Sequence, residues 1–300
     1  MKKYFFFAAV ALMLAACSSD NDMLTESAVQ NPEPTQVTLT FSPYQMEAMT
    51  RATVPDGSPS GVRRAATRSA TAISTLVTRL DVWLTDGTTV QDIHQASSDD
   101  SFGQLSITLD KRKTYTLTAV AHKCSAAVTL ADGIVSFPDT KVLQTFFYQQ
   151  TFTPAEVTTL SCEMQRIVGQ FKLQTTDAVP DEVAKVIVST PQAPTQWSTT
   201  AIAGITPQDY AVTFSPVNRN AETGTAAFTI YVIGSDEEHT RTITVTAYDS
   251  EDNVIQQRTF ADVPMKNGYR TTYSGQFFTD QPFTASFTVN DWNDYDTVEF

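Results

Sequence analysis

The chain has 300 residues, a formal net charge of −13, only 18% charged residues, three histidines and three cysteines. So little imidazole and thiol excludes most transition-metal and nucleophilic chemistry, and so acidic a chain, with no basic stripe in its body, is a poor match for nucleic acid. Threonine (46 residues) and phenylalanine (18) are abundant; branched and aromatic side chains suit a pleated surface, so the expected class is all-β, in two domains of roughly 130 residues.

At the start of the chain, Lys2 and Lys3 precede an apolar run from Tyr4 to Leu14. That run is shorter than the ~20 residues that cross a bilayer. It leads into Leu14-Ala15-Ala16-Cys17, which resembles the bacterial lipobox. The resemblance implies a lipoprotein signal peptide over 1–16, acylation (palmitate) of Cys17 and firm lipid anchoring. Loss of residues 1–16 removes two lysines and leaves a charge of −15. The next residues, Ser18-Ser19-Asp20-Asn21-Asp22, are similar to the acidic export signal of Bacteroidetes lipoproteins. This implies a lipid-anchored protein on the outer face of the cell outer membrane. Residues 17–35 read as a polar tether, and no later stretch is apolar enough to span a membrane.

The first strand is predicted at Val37-Thr38-Leu39-Thr40-Phe41, where Val37, Leu39 and Phe41 share one face. Residues 49–74 are rich in Ala, Thr, Ser, Gly and Pro and carry Arg51, Arg63, Arg64 and Arg68. They cannot bury enough apolar surface to order themselves and read as a flexible exposed loop. Alternation then predicts strands at Leu80–Leu84, Leu105–Leu109 and Tyr115–Ala121, with turns at Asp86-Gly87 and Asp132-Gly133. The aromatic stretch Phe137–Phe152 reads as a short helix or an edge strand, and Thr158–Glu163 as a domain junction.

In the second half, strands are expected at Ile167–Leu173, at Val183–Val188 (ending at Pro191), around Val212 and Phe214, at Phe228–Val232 and at Ile243–Ala247. The acidic turn Asp249–Asn253 makes a hairpin with Val254–Phe260, and Tyr269–Phe278 and Phe283–Val289 close the fold. Regular short strands indicate two tandem β-sandwiches, an N-terminal one over 36–160 and a C-terminal one over 161–300.

No spacing for a metal, nucleotide or catalytic triad occurs, so no cofactor and no enzyme activity are expected. His94, His122 and His239 are far apart and are not expected to share a site. Cys124 and Cys162 read as buried free thiols, although an exported protein permits a disulfide between them. Asp291–Asp296 could offer oxygens to Ca²⁺ but fits no full EF-hand loop, so a solvated end is expected. Asp296-Thr297-Val298 is similar to a Bacteroidetes O-glycosylation sequon. Trp83, Trp197 and Trp292 read as packing residues rather than a sugar-binding platform.

A lipobox, one isolated strand, an Arg-bearing loop opening Met49-Thr50-Arg51-Ala52 and two sandwiches together resemble the Bacteroidetes fimbrillins, the FimA- and Mfa-type pilins and their anchor subunits. The run Met164-Gln165-Arg166-Ile167-Val168-Gly169-Gln170-Phe171-Lys172-Leu173 is similar to the strand opening their second domain. Val263–Phe278 is similar to their late segment of a basic residue and Asn, then Thr, Gly and an aromatic. The resemblance implies transthyretin-like, Greek-key sandwiches and a fimbrial subunit, or a pilus anchor or accessory lipoprotein, acting in cell adhesion. It also implies a trypsin-like protease cutting after Arg51, or after Arg68 or Arg64, with Val37, Leu39 and Phe41 on the displaced strand. Other fimbrial subunits would then fill the groove by donor-strand exchange, host surface ligands being further partners. The chain runs only to Phe300, without the extra C-terminal strands of stalk pilins, which favours an anchor, accessory or tip role; anchors keep their first strand. A second reading is a surface glycan-binding lipoprotein of a polysaccharide-uptake system. An enzyme with paired carboxylates in a cleft is a third.

Overall fold

The structure, a computed structural model, describes residues 31–44, 72–279 and 286–291. Within them the chain is built of strands, with short 3₁₀ turns at Ile73–Thr75 and Pro138–Thr140. Glu33–Phe300 is one compact unit, and it contains two hydrophobic cores.

Around the first core, β1 (Pro34–Pro43), β2 (Arg79–Thr85), β3 (Val90–Ala96), β4 (Gln104–Asp110), β5 (Tyr115–His122), β8 (Thr145–Phe152) and β9 (Thr159–Arg166) form one sheet in the order β3-β2-β5-β8-β9-β1-β4. The β8–β9 seam is short, pairing only Phe146 with Arg166 and Phe147 with Gln165. Leu80, Val82 and Leu84 of β2 and Val37, Leu39 and Phe41 of β1 belong to the same buried cluster. The two ends of the sheet therefore close over one core, each strand giving it alternate residues.

The second core lies between a four-stranded and a six-stranded sheet. The first has the order β13 (Ala227–Ile233), β10 (Val168–Thr175), β16 (Tyr269–Gly275), β17 (Ser286–Asp291). The other runs β15 (Val254–Met265), β14 (His239–Tyr248), β11 (Lys185–Ser198), β7 (Ile134–Ser136), β6 (Thr129–Ala131), and β12 (Ala203–Phe214) pairs with β11. Phe171 of β10 meets Phe260 of β15 at 5.5 Å between ring centroids, and Phe214 of β12 meets Phe228 of β13 at 5.4 Å.

Four local expectations change. Thr158–Glu163 is no break: β9 runs through it and sends Leu160, Cys162 and Met164 into the first core. Its polar residues alternate with buried ones and sit on the outer face, which made the strand look like a linker. The hairpin β6–β7 lies within the N-terminal half of the sequence yet pairs with β11 of the second sandwich. Pro191 does not end β11; a bulge between Thr190 and Ala193 absorbs it and the strand continues to Ser198. Finally, Phe137–Phe152 does contain a short helix, the 3₁₀ turn Pro138–Thr140, but its strand β8 is held between β5 and β9 rather than at an edge.

Candidate functional site

The first strand is the feature the sequence singles out, and its placement is unusual. β1 runs antiparallel to β4, from the pair Pro34 and Asp110 to the pair Thr40 and Gln104. On its other side it runs parallel to β9, from Thr38 beside Thr159 to Pro43 beside Met164. It is thus a central strand, separated from its parallel neighbour by more than a hundred residues of chain. Among the described residues β4 has no other strand partner. Without β1, β4 would lose its ladder and β9 would present an open edge.

The side chains follow the period of two. Val37, Leu39 and Phe41 are at most 4% exposed, and Thr38, Thr40 and Ser42 alternate with them on the outer face. Ile73, Leu76, Leu109, Leu160, Cys162 and Met164 belong to the same buried cluster, the last four on the strands beside β1. Burying these three large side chains contributes roughly 5–9 kcal/mol. That is comparable with the whole stability of an ordinary domain, about 5–15 kcal/mol. An empty groove is therefore not a tolerable resting state.

Both ends of β1 are fixed by polar groups. Near its start the Gln36 Nε2 donates to Ser106 Oγ at 2.7 Å, the Glu33 N–H donates to Asp110 Oδ1 at 3.2 Å, and Glu33 pairs with Lys111. A hydrogen bond from Lys111 holds the exposed Glu33 carboxyl below its ordinary value. Near its end the Phe41 N–H donates to the Gly103 carbonyl and the Tyr44 N–H to the Met164 carbonyl, each at 2.8 Å. Gly103 has φ +82°, and a Cβ there would stand 2.9 Å from the Ile73 Cγ2, so glycine is required for the closure.

Cys17, Arg51, Arg64 and Arg68 lie outside the described residues. The arginines belong to the segment that joins Tyr44, just past β1, to Ala72, just before the buried Ile73. A cut there leaves β1 covalently separate from every strand it pairs with. Of the expected loop 49–74, residues 49–71 lie outside the described residues, and Ile73 near its end packs into the first core.

The remaining candidates are distributed as follows. Cys124 and Cys162 are free and buried in different cores. Burial pushes their thiols up to about 11 and about 12. Trp83 and Trp197 are buried in the second core, and Trp292 lies outside the described residues, as does most of Asp291–Asp296. His94 and His122 do come together, against expectation: both bond Asp81, because β3 and β5 flank β2 and put all three side chains on one face. Sequence separation hid this; the signal was the equal parity of Asp81 and Trp83 within a strand whose other face is Leu-Val-Leu. Among the described residues no group of His, Cys, Asp and Glu is arranged to hold a metal ion, and no helix is long and apolar enough to cross a membrane.

The model of a family described as being of unknown function, DUF6562, matches residues 29–298. No curated protein matches the sequence. Among solved structures the fold is similar to that of a candidate adhesin from Bacteroides thetaiotaomicron, with a TM-score of 0.50, 10% identity, and coverage of 88% of this chain and 98% of that one. It is equally similar to a candidate polysaccharide-binding protein from the same species, with a TM-score of 0.50, 11% identity and coverage of 86% and 96%. The fimbrial anchor protein Mfa2 from Porphyromonas gingivalis aligns with a TM-score of 0.45, 10% identity and coverage of 86% and 98%. At these identities the likeness is one of fold.

Proposed function

We propose that this chain, which belongs to the DUF6562 family of unknown function, is a non-catalytic fimbrial subunit of the bacterial surface, lipid-anchored through Cys17 to the outer membrane and assembled by strand exchange. The observation that carries this reading is the position of β1. It is a central strand, its apolar face fills a groove, and an Arg-bearing segment follows it directly. Cleavage after Arg51, Arg64 or Arg68 by a trypsin-like protease would turn β1 into a separate peptide. A neighbouring subunit could then supply a strand to β4 and β9, the backbone pairing giving affinity and the pockets of Val37, Leu39 and Phe41 giving register. Left uncut, the chain would keep β1 and serve as the anchor or accessory subunit of such a polymer. Adhesion to host ligands would be a property of the assembled surface.

The fold suits this work. Strand exchange needs backbone edges and apolar pockets, and no reactive side chain. The glycan-binding alternative lacks its platform in Trp83 and Trp197, which are 4% and 3% exposed.

The test is limited trypsin digestion of the mature protein, followed by N-terminal sequencing and size-exclusion chromatography. A single early cut within 45–71 and the appearance of ordered oligomers support exchange. A cut protein that stays monomeric contradicts it. A chain that resists cutting there fits only the anchor or accessory role.

A further inference from the structure

The cluster around Asp81 is independent of β1 and of any strand exchange. Asp81 is fully buried on the face of β2 turned away from the first core. Its Oδ2 accepts from the His122 Nε2 and from the Val128 N–H, both at 2.8 Å, and its Oδ1 lies 2.8 Å from the His94 Nδ1. Val128 is the residue that leads into the hairpin β6–β7. That hairpin is a piece of the second sandwich: Ser136, Val135 and Ile134 pair with Gln196, Trp197 and Ser198 of β11. The Gln196 Nε2 also donates to Ser136 Oγ at 2.7 Å, and the Thr199 N–H to the Gly133 carbonyl at 2.8 Å. One carboxylate therefore ties β2 and β5 of the first sandwich to a hairpin built into the second.

The hydrogen bonds also assign the proton positions. The Cys124 N–H donates to the His122 Nδ1 at 3.1 Å, so that nitrogen is an acceptor and His122 is the neutral ring with its proton on Nε2. The two nitrogens of His94 face two carboxylates, Asp81 at 2.8 Å and Asp92 at 3.2 Å. The other titratable groups around the cluster leave Asp81 to its clasp. The Arg79 Nε donates to the Ser125 carbonyl, and the Cys124 thiol and Tyr210 hydroxyl are both pushed up by burial and stay protonated.

We propose that Asp81 is a charge-dependent latch: clasped by His122, His94 and the Val128 N–H, its carboxylate locks the hairpin β6–β7, and with it the second sandwich, onto the outer face of β2 and β5. Neutralising the carboxylate loosens residues 128–136 while the rest of each sandwich keeps its fold. Asp81 itself favours the locked state at neutral pH. Burial pushes its carboxyl up, but the hydrogen bonds from His122, His94 and the Val128 N–H outweigh burial and hold it below the ordinary value.

The experiment is hydrogen exchange of the full chain at pH 7, comparing Asp81→Asn and His94→Gln with the unmodified protein. In Asp81→Asn an amide N–H₂ faces donors that met a carboxylate, so protection of residues 128–136 should fall about tenfold or more while that of β10 and β13 is kept. In His94→Gln, where the ring replaced is half-exposed and folding is not at stake, the same segment should lose protection about threefold. Histidine ¹⁵N spectra of the unmodified protein should show His122 as a neutral ring with its proton on Nε2. Unchanged protection of 128–136 in both variants overturns the latch. So does equal loss throughout the chain in His94→Gln, or a His122 ring protonated on Nδ1.

Discussion

The rings of Phe147 and Trp197 meet at 5.6 Å between centroids and an interplanar angle of 55°. Phe147 belongs to β8 of the first sandwich and Trp197 to β11 of the second, and they share a buried cluster with Trp83, Val120, Val135 and Phe137. The outer face of the β2-β5-β8 sheet is therefore an interior surface over part of its area. Tyr210 adds a polar tie across the same junction: its hydroxyl donates to the Val142 carbonyl at 3.0 Å and accepts from the Val142 N–H at 3.1 Å. β1 lies in the other cluster, so an exchange of strands at β1 leaves this junction in place.

Truncating Trp197 to Ala should remove that junction. The expected cost is about 3–5 kcal/mol, measured by urea unfolding. Fluorescence and circular dichroism, which coincide for one cooperative unit, should separate in the variant.

Leu39→Ala opens a cavity under a fully buried side chain of β1. A loss of about 2–5 kcal/mol is expected for the first sandwich. Hydrogen exchange should show the loss in β4 and β9, the partners of β1, and leave β10 and β13 protected.

Asp81 sets an acid limb. Its folded-state carboxyl is held below the ordinary value, so its contribution is fully present above the ordinary carboxylate range and disappears as pH falls through the lowered value. Denaturation midpoints followed from pH 7 downward should fall in the unmodified protein below about pH 4. Asp81→Asn should be less stable at pH 7, by about 3–5 kcal/mol for a buried ionic partner removed, and should show a flatter acid limb.

The buried thiols should be inert. With Cys124 raised to about 11 and Cys162 to about 12, iodoacetamide at pH 8 should label neither in the native chain and both after denaturation. Rapid native labelling of Cys162 would show that the β1 groove opens spontaneously, since Cys162 stands beside Phe41 of β1.

Much of this architecture is legible in the sequence, for local reasons. Val37, Leu39 and Phe41 declare a one-sided strand, and Asp249 declares a turn whose carboxylate then caps the Glu251 and Asn253 N–H groups, at 2.8 and 2.9 Å. Pairing between distant segments is not legible. Nothing local says that β1 joins β9 in parallel, or that Thr129–Ser136 crosses into the second sandwich, because a three-residue strand carries too little periodicity to name its partner. Asp81 was hidden for the same reason: one acid in an apolar strand gains meaning only when two neighbouring strands bring His94 and His122 beside it. Pro191 misled because a bulge can carry proline through a long strand.

The most direct measurement is strand replacement in protein cut within residues 45–71. A labelled Pro34–Pro43 peptide is added to the cut chain and uptake is read by native mass spectrometry. The account predicts that the resident fragment leaves, that one labelled peptide enters per chain, and that a peptide carrying Leu39→Asp does not. Retention of the resident fragment until the whole protein unfolds, or uptake of the Leu39→Asp peptide equal to that of the natural one, would contradict it.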